Sequence, residues 1–161
     1  MQRVEGATQR WSRGGWSLIE LVMVLSIISV ISAIAVPRYT GAVSRYRGQA
    51  AANQVVRMLE LAQTSARQRS SSVSVWFDVA DNSVRVPELD DPDRDGAWVV
   101  YLSDRPWRAS LAKADFDSQS HVAFDGYGET DRGGTVAIDA GGTQWEVVLD
   151  QASGRVAIGG F

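Results

Sequence analysis

The fold turns on residues 14–39, GGWSLIELVMVLSIISVISAIAVPRY. Between Trp16 and Val36 the only charged residue is Glu20. At about 1.5 Å per residue, a helix over this run reaches about 30 Å, the thickness of a bilayer's hydrocarbon core. A carboxylate near the start of such a run is costly to leave unpaired, so it calls for a partner that the run itself does not contain. Ahead of the run, Arg3, Arg10 and Arg13 stand against the single acid Glu5. Basic flanks stay on the cytoplasmic side, which places the N-terminus in the cytoplasm and the rest of the chain across the membrane.

Two readings of the run compete. In one it is the apolar region of an ordinary secretory signal, with Ala33-Ile34-Ala35 as the small-residue cleavage site, and a soluble domain is released. In the other, cleavage falls before the run, after Gly15, and the run stays in the mature protein. Glu20 favours the second reading, because a carboxylate weakens membrane partitioning and has no use in a discarded peptide.

Composition narrows the function classes. The chain has 161 residues with a formal charge of −3; past the basic leader the remainder carries −5. An acidic body lacks the clustered Lys and Arg that phosphate backbones need, so no nucleic-acid partner is expected. With no cysteine, disulfides, thiol catalysis and Cys-based zinc sites are excluded. The one histidine, His121, lies in the alternating stretch SHVAFDG and reads as a strand residue, not a catalytic base. No catalytic triad, phosphate loop or HExxH motif is present.

After Pro37, the residues Tyr39, Ala42, Val43, Tyr46, Ala50, Val55, Leu59, Ala62 and Ala66 recur at helical spacing. The helix is expected to continue to about Arg69, kinked near Pro37 and locally weakened at Gly41 and Gly48. Its apolar stripe should pack on a globular domain, with Arg45, Arg47, Arg57, Arg67 and Arg69 on a solvated face. From Ser72 the period changes to two. SVSVWFDV, SVRVPEL, AWVVYL, SHVAFDG, GTVAIDA, TQWEVVLD and GRVAIG read as seven short strands separated by Gly, Asn and Asp. Trp76, Phe77, Trp98, Phe124 and Trp145 are expected to supply part of the core. The fold class is α+β: a long N-terminal transmembrane helix, then an antiparallel β-sheet or β-sandwich domain.

GWSLIEL resembles the class III prepilin signature of type IV pilins and type II secretion pseudopilins: a glycine, an apolar residue, and a glutamate at the fifth mature position. Trp16 stands where those families usually have Phe or Met. The C-terminal stretches FDGYGETDRGGTVAID and WEVVLDQASGRVAIG resemble the GspH/FimT-type domain of minor pseudopilins and minor pilins, down to the closing Ser153-Gly154-Arg155 hairpin. The resemblance implies a leader over 1–15, a transmembrane helix over 16–36, a periplasmic helix extension over 37–70 and a β-rich periplasmic domain over 71–161. It also implies cleavage between Gly15 and Trp16 by the prepilin peptidase, N-methylation of Trp16, pairing of Glu20 with a neighbouring subunit's terminal amine, and a kink at Pro37. The expected protein is a structural, non-enzymatic minor pseudopilin of type II secretion in the bacterial inner membrane, with other minor and major pseudopilins as partners. The alternative is a minor type IV pilin, serving pilus assembly or DNA uptake. DNA-binding relatives carry a GRxR motif; the corresponding stretch here is GRVAIGG, with Ala157 at the second arginine.

No resident cofactor is expected. The one metal candidate is calcium at Asp91, Asp93 and Asp95, whose alternate spacing before Gly96 matches the first half of a calcium loop. Leu102 holds the position of the bidentate glutamate, and an exposed charged loop fits the stretch as well.

Overall fold

The computed structural model of the protein describes residues 17–91 and 94–160. The chain divides into two units, with the boundary between Tyr39 and Thr40. One helix, α1 (Leu18–Arg69), contributes to both. Its backbone stays α-helical through position 37. It ends by a change of backbone hand. Ser70 takes a φ of 49°, its N–H donates to Arg67 O, and Ser71 N–H donates to Ala66 O. This pair of bonds is the Schellman arrangement, here without the usual glycine.

Within the second unit, α1 buries Gly48, Ala51, Ala52, Val55, Met58, Leu59, Ala62, Ser65 and Ala66. These positions recur every three or four residues and mark one face. Most are small, which lets strands approach the helix backbone closely. The expected stripe is therefore shifted: Tyr39 and Tyr46 point outward, and the packing face begins at Gly48. A Cβ at Gly48 would enter the indole of Trp145.

Eight strands follow, all paired antiparallel: β1 (Val73–Asp78), β2 (Ser83–Asp90), β3 (Ala97–Tyr101), β4 (Ser110–Asp115), β5 (His121–Phe124), β6 (Gly134–Ala140), β7 (Thr143–Leu149) and β8 (Val156–Gly160). They form two four-stranded sheets, in the orders β3-β2-β1-β5 and β4-β6-β7-β8. Seven strands were expected; the additional one is β4. Its sequence, SLAKAD, is poor in β-branched and aromatic residues, and Leu111 is its only fully buried side chain. The β4 start is tied to the first sheet's β1–β2 turn, where Asn82 Oδ1 accepts from Leu111 N–H at 2.8 Å.

Inward residues of both sheets meet the helix face in one core. Phe77 of the first sheet and Phe116, just past β4, stack at 5.3 Å and join the two sheets. Phe124 is buried, and Trp98 and Trp145 pack partly buried against the core. Trp76 is not a core residue. Neighbours in a strand face opposite ways, Phe77 takes the interior, and Trp76 is left 43% exposed.

Candidate functional site

The largest surface that the fold leaves uncovered is the N-terminal part of α1. Within the first unit, every large apolar side chain from Leu18 to Val36 is between 37% and 81% exposed. A window of this helix has a mean hydropathy of 2.6 with none of it buried, and it is long and apolar enough to cross a membrane. A continuous apolar surface of this size does not persist in water; lipid or other chains must cover it. The run's hydroxyls are partly satisfied within the helix itself. Ser26 Oγ donates to Val22 O at 2.8 Å and Ser29 Oγ to Ser26 O at 2.7 Å. Such back-bonding removes the polar cost of serine in an apolar setting.

Glu20 lies in the first turn of this helix. Unpaired N–H groups there give a helix start a partial positive charge, which favours an acid. No ion pair of Glu20 occurs among the described residues. Gly15 and Trp16, the expected processing site, lie outside the described residues.

A second constellation gathers at the C-terminal end of α1. Asp125 opens the glycine turn after β5, and its carboxylate accepts from Tyr127 N–H and Glu129 N–H, both at 2.9 Å. Asp131 closes the same turn by accepting from Ala123 N–H at 2.9 Å. The turn rests on the helix end. Gly126 packs against the Ser70 backbone, where a Cβ would come within 2.8 Å of the Ser70 carbonyl carbon. Arg67 Nε donates to Tyr127 O at 3.0 Å. Gln63 donates through one amide nitrogen to Gly128 O at 2.8 Å and to Gly154 O at 3.4 Å, linking the glycine turn to the β7–β8 hairpin. In that hairpin Gly154 has a φ of 62°, which its missing side chain permits. The Asp150 carboxylate accepts from Ser153 Oγ at 2.6 Å and Ser153 N–H at 2.8 Å, and these bonds hold its pKa below the usual carboxylate value. Thus both C-terminal motifs singled out in the sequence converge on two helix side chains, Gln63 and Arg67. Neither was legible as functional, since their partners lie 60 to 91 residues away.

Two other polar clusters occur among the described residues. On the outer face of the first sheet, His121 stacks on Trp76 with ring centroids 4.3 Å apart, beside Arg85 and Asp78. His121 is a β5 strand residue without a positioned carboxylate or nucleophile among its described contacts. Asp91 and Asp95 lie between β2 and β3, where Asp91 N–H donates to Gly96 O at 2.9 Å. Asp93 lies outside the described residues, and among those described no three His, Cys, Asp or Glu side chains are grouped to hold a metal.

Comparison with known proteins meets this geometry from two sides. By structure, the chain is similar to the type IV minor pilin FimU of Pseudomonas aeruginosa, with a TM-score of 0.53 and 18% identity over 71% of this chain and 90% of that one. It is equally similar to the minor pseudopilin EpsH from the type 2 secretion system of Vibrio cholerae, with a TM-score of 0.52 and 18% identity over 71% of this chain and 97% of that one. At such identity these likenesses establish the fold alone: a long apolar helix followed by antiparallel sheets. No curated protein sequence matches. A family profile, that of the type II transport protein GspH, matches residues 51–154, which hold the packing face of α1 from Ala51 onward, the seven strands β1 to β7 and the hairpin glycine. By that match over most of its length, the chain belongs to the GspH family of pilin-like proteins.

Proposed function

We propose that the protein is a structural minor pseudopilin of a type II secretion system, held in the inner membrane until it enters a periplasmic filament. The observation that carries this reading is the apolar run of α1, uncovered along its length and bearing one carboxylate in its first turn. In this reading the prepilin peptidase cuts after Gly15 and methylates the new amine on Trp16. Residues 16–36 span the membrane with the leader, residues 1–15, in the cytoplasm, and residues 37–70 and 71–161 lie in the periplasm. Pro37 removes one helix hydrogen bond and lets the helix bend at the membrane surface. Glu20 pairs with the terminal amine of a neighbouring subunit, which neutralises a carboxylate in hydrocarbon and fixes the axial register between helices. Other minor and major pseudopilins are the partners. The work is packing, and no residue is assigned a catalytic role or a cofactor.

Assignment to secretion rests on the GspH profile, on the −5 charge of the mature chain and on Ala157 in place of a second arginine. The likeness to FimU supports a second reading, a minor pilin of a type IV pilus.

Mass spectrometry of the mature N-terminus separates retained helix from released domain: a methylated Trp16 is expected, and Val36 as first residue overturns the proposal. Glu20→Ala is expected to abolish incorporation into the filament while the β domain unfolds at the parent's denaturant midpoint. Normal incorporation of that variant defeats the role given to Glu20. A gel-shift titration with duplex DNA at moderate salt should show no retardation; tight binding would shift the assignment to DNA uptake.

A further inference from the structure

The four sheet edges are treated differently. At β5, the loop through Asp131 covers the edge: Asp131 N–H donates to Ala123 O at 3.1 Å and its carboxylate takes Ala123 N–H. At β4, the ladder is bulged between Leu111 and Lys113, and Lys113 pairs with Asp115 at 2.8 Å across the strand end. At β3, the pairing with β2 is bulged between Val86 and Asp90. Bulges, charges and covering loops are the devices by which proteins keep an edge from adding foreign strands. Among the described residues, the β8 edge, Val156-Ala157-Ile158-Gly159-Gly160, has no bulge, no charged side chain within it and no loop bonded across it.

Its unused groups follow from the register. Asp150 N–H donates to Arg155 O at 2.9 Å, so the hydrogen-bonded pairs continue two residues apart, at Val148–Ala157 and Glu146–Gly159. The N–H and C=O of Val156 and Ile158 therefore point away from β7. Among the described residues no hydrogen bond uses them. The inward side chains tell the same story. Val147 and Leu149 on β7 are fully buried, but their cross-strand neighbours Ile158 and Val156 are only partly covered. The sheet stops one strand short of closing over its own apolar face.

Beside this edge runs an open groove of about 550 Å³, walled by Glu60, Gln63 and Arg67 of α1 on one side and by Arg155, Val156 and Ala157 on the other. Arg67 is fixed by its bond to Tyr127 O, and Arg155 has no ion pair among the described residues. Two guanidinium groups thus face one carboxylate, in a chain whose body is otherwise acidic.

We propose that the β8 edge is a docking site for an extended segment of another protein, which adds as a further strand, covers Val156 and Ile158, and places a carboxylate between Arg67 and Arg155. The backbone groups supply affinity, the partly covered valine and isoleucine select an apolar residue at alternate positions, and the arginines select acid at the intervening ones. The site is independent of Glu20 and of which filament the chain serves.

The test uses the full chain in detergent micelles and a fluorescein-labelled seven-residue peptide alternating Val with Thr and Asp. A counterpart with Lys in place of Asp serves as comparison. Fluorescence anisotropy is expected to show saturable binding of the Asp peptide, at least tenfold tighter than the Lys peptide. Arg155→Glu, at an exposed position where folding is not at stake, should reverse that preference. Ile158→Pro should weaken binding of the Asp peptide tenfold or more, because proline removes the outward N–H without touching the β7 ladder. Hydrogen exchange on the parent should show fast amides at Val156 and Ile158 that slow when the peptide is added. No saturable binding, equal binding of both peptides, or Val156 and Ile158 amides already protected in the free chain would each overturn the proposal. Saturable self-association of the chain through this edge in place of peptide binding would likewise overturn the assignment to a different protein.

Discussion

Two stretches of one helix make the most instructive comparison in this molecule. From Leu18 to Val36, α1 is apolar on all sides and no part of it is buried. From Gly48 to Ala66 it is apolar on one face only, and that face is fully buried against the sheets. The first stretch has the composition of a segment whose solvent is not water. The second has the periodicity of a segment with water on one side and protein on the other. The first is rich in Ile and Val and the second in Ala and Gln, so intrinsic propensity favours the second, yet both are helical; what sets them apart is where the covering atoms come from. The second stretch is completed by its own chain, whereas the first needs cover from outside the chain, from lipid or from other chains.

Methionine occurs in both stretches, which allows a matched test. Met58 is 0% exposed and Met23 is 64% exposed. Met58→Ala should destabilise the β domain by about 2–5 kcal/mol through lost burial and a residual cavity. Urea unfolding of the full chain in detergent, followed by tryptophan fluorescence, measures it. Next in size, Gly48→Val forces two methyl groups against the Trp145 indole and Ala140, and a loss of about 1–3 kcal/mol is expected in the same assay. A smaller effect belongs to the hairpin. Because hydrogen bonds from Ser153 lower the Asp150 pKa in the folded state, their stabilisation is complete above the unfolded value of about 3.9 and is lost as pH falls through the folded value. Asp150→Ala should therefore lower the thermal midpoint at pH 7, and the gap to the parent should narrow as pH falls below the unfolded carboxylate value. Last, Met23→Ala should leave the unfolding midpoint of the β domain unchanged within about 0.5 kcal/mol. An equal loss from Met23→Ala and Met58→Ala would break the comparison outright.

The two stretches were also unequally legible. The apolar run and its glutamate are local in sequence, so composition and spacing alone reveal them. The packing face was found in part: Val55, Leu59, Ala62 and Ala66 lie on it, but Tyr39 and Tyr46 were included wrongly, because aromatic rings at helical spacing look like core until a partner surface is known. Period-two alternation exposed seven strands and missed β4, whose Ala and Lys carry little strand preference. It also could not choose between Trp76 and Phe77. Their order across the sheet is set by the register that buries Val73 and Val75, a long-range fact. Phe116 escaped notice because it sits past the end of a strand, in an isolated bridge with Gln119. Gln63 and Arg67 were unreadable for the same reason in stronger form. Nothing near them in sequence shows that carbonyls of two distant turns will arrive at their side chains.

That arrival has a mechanical side. A single carboxamide nitrogen on Gln63 carries both the Gly128 turn and the Gly154 turn. Neither turn can lift from the helix without tugging on the shared tether, so a displacement beginning at one is handed to the other. Tyr127, 84% exposed at the tip of the first turn, is therefore a natural place to hang a spectroscopic reporter for events at the second.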